Sequence, residues 1–102
     1  MVRSTGFPRG DRMTRATAEE IAVAALVFLA EDPETLGRFL GATGLGPENL
    51  RGAAGEPGFL SAVLEHLLGD ESLLLVFAER QRLRPTMIAA ARHALDPIVD
   101  PS

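Results

Sequence analysis

The chain has 102 residues, no cysteine and a formal net charge of −4. That length suits a single domain, and the missing cysteines exclude disulfides and any cysteine-based zinc site. Arg3, Arg9, Arg12 and Arg15 stand against Asp11 alone in the first 16 residues, which leaves the rest of the chain at −7 and weighs against an affinity for nucleic acid that survives physiological salt. Every basic residue is arginine; with so much Ala, Gly and Pro beside it, this reads as the mark of a GC-rich coding sequence and not of guanidinium chemistry.

Residues 1–16 are broken by Gly6, Pro8 and Gly10 and hold too few apolar groups to pack, so they read as a disordered basic arm. Met13 offers a second start. Thr17-Ala-Glu-Glu20 has the form of a capping box and predicts a helix beginning there. Ile21, Ala24, Ala25, Phe28 and Leu29 recur at steps of three and four and make its buried face. The apolar run Ile21–Ala30 reaches about 15 Å as a helix, half the thickness of a bilayer core. Glu19, Glu20, Glu31 and Asp32 bracket it, which argues for a core helix over a secretory leader and for a cytoplasmic chain with no membrane partner.

Asp32-Pro33 predicts the N-terminus of a second helix, with Asp as cap and Pro at the first helical position. Leu36, Phe39 and Leu40 face inward and Gly44 supplies a left-handed stop. Leu45-Gly46-Pro47 is a turn, and a short third helix over Pro47–Ala54 follows, with Gly55 closing the unit. The plan then returns: a fourth helix from Pro57 to Leu68, a fifth from Glu71 to about Gln81 capped by Asp70, and a sixth from Pro85 that stops before Pro97.

The return has a fixed offset of 38 residues without a gap. It matches Leu29 with Leu67, Asp32 with Asp70, Leu36 with Leu74, Phe39 with Phe77, Leu45 with Leu83, Pro47 with Pro85 and Ala53 with Ala91. Two units are fewer than a solenoid needs to bury its faces. The expected fold is therefore all-α: a compact bundle of about six short helices in one domain over 17–96, built from similar three-helix units at 17–55 and 56–96. A tail at 97–102 completes the chain. Leu73-Leu74-Leu75-Val76-Phe77 is apolar all round, which places the fifth helix at the centre of the bundle or against a partner. Leu73, Leu75 and Val76 are the candidate partner-binding residues.

Chemistry has little to work with. His66 and His93 are the only groups that titrate near neutrality in their unperturbed state; neither has a ligand partner at a clean metal spacing, and both read as structural or solvated. GATGLG at 41–46 follows a helix instead of a strand and lacks lysine, so it reads as a stop and a turn and not as a phosphate loop. No catalytic residue, metal or cofactor is expected, and no enzyme. The stretch from Phe39 to Arg51 has the pattern of a helix-turn-helix, and a reader of this kind needs donors on its second helix. Asn49 and Arg51 are the candidates there, with Arg80, Arg82, Arg84 and Arg92 in the more basic echo.

Within Thr14 to Leu95, the extent of a resemblance, the stretch FLAEDPETLGRFLGATGLGPENLRGAAGEPGFLSAVLEHLLGDESLLLVFA from Phe28 to Ala78 carries DP, TGL-x-P, LR-x-AA and P-x-FL-x-x-VL. In these pieces the chain resembles a family of small alphaproteobacterial proteins of unknown function whose members begin near the position of Met13. The resemblance implies an all-helical fold and supplies no activity, cofactor or site residue. The leading expectation is a non-enzymatic helical adaptor that meets a protein partner, a second copy of itself included. The alternative is weak binding of nucleic acid through the turn-and-helix units and the arginines.

Overall fold

The computed structural model describes residues 13–53 and 57–95. The basic arm up to residue 12, the close of the first unit at Gly55 and the tail expected at 97–102 lie outside them. Six helices follow one another: α1 Arg15–Ala30, α2 Pro33–Thr43, α3 Pro47–Ala53, α4 Pro57–Leu68, α5 Glu71–Gln81 and α6 Pro85–Ala94. No strand occurs among the described residues. The fold is all-α.

Helix α1 begins two residues before the expected capping box. Thr14 is extended (φ −97°, ψ 164°) and its side chain accepts from the Thr17 amide at 3.0 Å. The Thr14 carbonyl also takes the first intrahelical bond, from Ala18 at 2.8 Å. Thr17 is thus already inside the helix, and its own hydroxyl is held by Thr14 at 3.0 Å. The expected arm loses Arg15 and Ala16 to α1 for the same reason.

Helices α1, α4 and α6 pack on one another, α2 folds back on α1 and touches α4, and α5 rests on α4 and α6. The central trio buries Ala18, Ile21, Ala22, Ala25 and Leu29 from α1, Leu60, Val63, Leu64 and Leu67 from α4, and Ile88 and Ala91 from α6 with Leu95 at its cap. Ala18, Ala22 and Ala25 of α1 and Ala91 of α6 are among the residues buried there, and α1 and α6 pack together although they are the first and last helices of the described residues. The fifth helix, expected at the centre, is not there. Only Phe77 and Ala78 of α5 are buried; Leu73 and Leu74 are half-buried, and Leu75 and Val76 are exposed.

The 38-residue offset carries into local geometry. Asp32 caps α2, accepting from the Glu34 amide at 3.2 Å and the Thr35 hydroxyl at 2.8 Å. Asp70 caps α5 by accepting from the Leu73 amide at 3.3 Å. Both of these helices end in a left-handed residue, Gly44 at φ 79° and Arg82 at φ 58°. At Arg82 the Leu83 amide reaches back to the Ala78 carbonyl at 2.8 Å, and Leu83 itself is buried. That six-to-one bond with an apolar residue behind it closes the helix in a Schellman-type turn. It holds a non-glycine residue where glycine would sit most easily.

Two ring contacts also fall at this offset. Phe39 of α2 meets His66 of α4, ring centroids 5.3 Å apart; Phe77 of α5 meets Phe28 of α1 at 5.4 Å. Adding 38 to Phe28 and Phe39 gives His66 and Phe77, so each pair is the other with its partners traded. Phe39 of α2 is thus buried beside α4, and Phe77 of α5 beside α1.

Candidate partner-binding face

Four large apolar side chains stand exposed among the described residues: Val23 at 45%, Val27 at 56%, Leu75 at 49% and Val76 at 49%. They fall on two helices only. On α1 the buried positions Ala18, Ile21, Ala22, Ala25 and Leu29 define the inner face, and Val23 and Val27, one turn apart, lie off it. On α5, Phe77 and Ala78 turn inward, which carries Leu75 and Val76 outward.

The two helices are tied at their C-terminal ends. The Arg80 guanidinium donates to both Glu31 carboxylate oxygens, at 2.9 and 3.3 Å, and lies 5.3 Å from the centre of the Phe28 ring. Beneath it Phe28 and Phe77 pack at 5.4 Å. Both members of the ion pair are half-exposed, so water and salt screen it and its worth is about 1 kcal/mol or less. Its value is geometric. Val27 precedes Glu31 by four residues and Val76 precedes Arg80 by four, so each valine sits one turn from the pair on the same side of its helix. The valines therefore flank a clasped, partly apolar junction.

Of the three residues expected to meet a partner, Leu75 and Val76 are on this surface, while Leu73 packs against the core as a half-buried residue. Val23 and Val27 escape the sequence reading because the whole apolar run of α1 reads as core. Their signal was available: both fall outside the three-and-four pattern of Ile21, Ala25 and Leu29.

The arginines expected to touch phosphate are spread over α3, α5, the α5–α6 turn and α6. Arg80 is engaged with Glu31 and Phe28. Arg82 is the left-handed cap of α5 and Arg84 the cap position of α6, both exposed on the connecting turn. Arg92 is half-buried eight residues beyond Arg84, about 12 Å along the helix axis. On the short α3, Arg51 is exposed, and Asn49 turns its side-chain oxygen back to accept from the Gly46 amide at 3.3 Å.

His66 is half-buried against the Phe39 ring, and His93 is exposed. Among the described residues no group of three His, Asp or Glu side chains stands together as a metal site, and no helix is long and apolar enough to cross a membrane. A shallow groove on the outer side of α1 is lined by Ala16, Glu19, Glu20, Val23 and Ala24.

No curated protein and no solved structure matches the chain. A family model does, over residues 15–98, which takes in all six helices; the chain belongs to that family, described as Protein of unknown function (DUF3572).

Proposed function

We propose that the chain is a non-enzymatic protein-interaction module whose contact surface lies on the outer sides of α1 and α5, with a second copy of itself among the partners it can take. The observation that supports this reading is the segregation of exposed apolar side chains. Val23, Val27, Leu75 and Val76 all lie on these two helices, and contacts of Arg80 with Glu31 and Phe28 join them. Aliphatic side chains left in water on two adjoining elements are what an interface uses.

The test is light scattering of the full chain at two salt concentrations, with and without a pool of short DNA and RNA, paired with affinity capture by the wild type and by a Leu75→Glu/Val76→Glu variant. We expect a mass blind to nucleic acid, and a bound protein or second copy that the variant loses while its thermal midpoint holds. A mass that rises with nucleic acid at low salt, and that rise lost in Arg82→Ala/Arg84→Ala, overturns the reading.

A further inference from the structure

The groove on the outer side of α1 is lined by Ala16, Glu19, Glu20, Val23 and Ala24. Their spacing of three and four puts them on one side of the helix, opposite the buried Ala18, Ala22 and Ala25. Two carboxylates thus flank a small apolar floor. Neither Glu19 nor Glu20 has an ion-pair partner among the described residues, where Arg80 is paired with Glu31; Arg15, one turn before Glu19, makes no such pair either. The chain that leads into α1 carries the complementary set. Residues 1–12, outside the described part, hold Arg3, Arg9 and Arg12 against Asp11, and one large ring, Phe7. Met13 packs half-buried against the core, so this segment leaves the domain at the end of α1 where the groove begins.

We propose that residues 7–12 fold back on this groove as a tethered cover, with Phe7 on Val23 and Ala24 and the Arg9 and Arg12 guanidiniums on Glu19 and Glu20. The reach suffices. Val23 lies eight residues into α1 from Arg15, about 12 Å along its axis; the chain from Met13 back to Phe7 spans up to about 20 Å, with Gly10 available for the reversal. Tethering also supplies the affinity. A segment on a short linker meets its site at an effective concentration in the millimolar range, so screened ion pairs and one ring are enough to seat it. The groove of a second copy is a poorer occupant, because it brings the same two carboxylates and like charges facing each other in a contact are unfavourable. Once seated, the segment hides Val23, one of the four exposed apolar residues, and a partner must displace it. That consequence rests on the protein-interaction reading; the docking itself does not.

The chain has no cysteine, so Ser4→Cys gives a single attachment point for a nitroxide, and signal loss in the amide spectrum of the full chain reports where the segment goes. We expect loss at residues 16–24 that falls away in Glu19→Lys/Glu20→Lys and in salt of about 1 M, where charges are felt over only ~3 Å. Adding Arg9→Glu/Arg12→Glu to that variant should bring the loss back. A segment that merely hangs from Met13 dims its neighbours by proximity and responds to neither change; that result overturns the docking. Loss centred on Glu71 and Glu79 of α5 overturns it too. So does loss that passes to isotope-labelled copies mixed with unlabelled, spin-labelled ones, which would make the cover a second chain's. Unmoved amide positions in α4 and α6 show that the variants keep their fold. The interaction reading is judged separately, by the capture comparison of the Leu75→Glu/Val76→Glu variant.

Discussion

Helices α3 and α6 hold matching places in the 38-residue register and do opposite work. Both start at a proline, Pro47 and Pro85, and both place an apolar residue three positions on, Leu50 and Ile88. Yet Ile88 and Ala91 are fully buried between α1 and α4, whereas Leu50 and Ala53 are only half-buried. The difference lies toward the C-terminal end of each helix. Gly52 stands where α6 has Ala90, which lowers the helical preference of α3, and Pro57 stands where α6 has Leu95, the residue that plugs the base of the core. An alanine in place of glycine and a buried leucine in place of proline go with the membership of α6 in the central trio.

The largest effects test where the halves are alike. Phe39→Ala and Phe77→Ala should each cost about 3–5 kcal/mol in denaturant unfolding, because both rings are fully buried. A gap of more than about 2 kcal/mol between them, outside the context spread of such changes, would show that the exchanged contacts are not equivalent. Next, the contrast between the third helices predicts that Ile88→Ala costs about 2–5 kcal/mol, while Leu50→Ala costs about 1 kcal/mol or less. Equal losses would break it.

The caps should differ by less. Asp32→Ala gives up bonds to the Glu34 amide and the Thr35 hydroxyl and leaves that buried hydroxyl unmet, for about 1–2 kcal/mol; Asp70→Ala gives up one, for about 1 kcal/mol. Thermal melts of the two variants read the order directly. The smallest effects lie at the left-handed stops. Gly44→Ala should destabilise by about 1 kcal/mol through backbone strain alone, since a Cβ there meets nothing within 4 Å. Arg82→Gly should stabilise by up to about 1 kcal/mol, and a loss there would mean that the Arg82 side chain contributes more than its backbone costs.

Most of the helix pattern was legible because its punctuation is chemical. Asp before a helix, Pro at its start and Gly after its end state the boundaries of α2 in single residues, and Asp70 alone marks the start of α5. The α1 start was misread because Thr17 and Glu20 fit a capping box by residue type, while Thr14 three residues earlier has the extended backbone that lets a hydroxyl reach the first turn. The stop at Arg82 had no glycine to announce it; only the register with Gly44 marks the place. Burial was the harder question. A run such as Leu73–Phe77 states that apolar surface exists, not which side of it is covered, and the answer depends on α1 and α6, distant in sequence, filling the centre with alanines. The candidate face was half legible for that reason: Leu75 and Val76 stood out, while Val23 and Val27 vanished into a helix that is otherwise core.

The packing of α1 on α6 has a consequence for how the protein comes into being. The inner face of the first helix, Ile21, Ala22, Ala25 and Leu29, is covered by the last helix as well as by α4. During synthesis that face is made roughly 60 residues before its final cover, an interval of about 3–12 s at ordinary elongation rates. The nascent chain therefore carries a first helix that lacks one of its two covers for seconds, and a premature stop ahead of Pro85 releases a product in which that side stays open to chaperones, proteases and other unfinished chains.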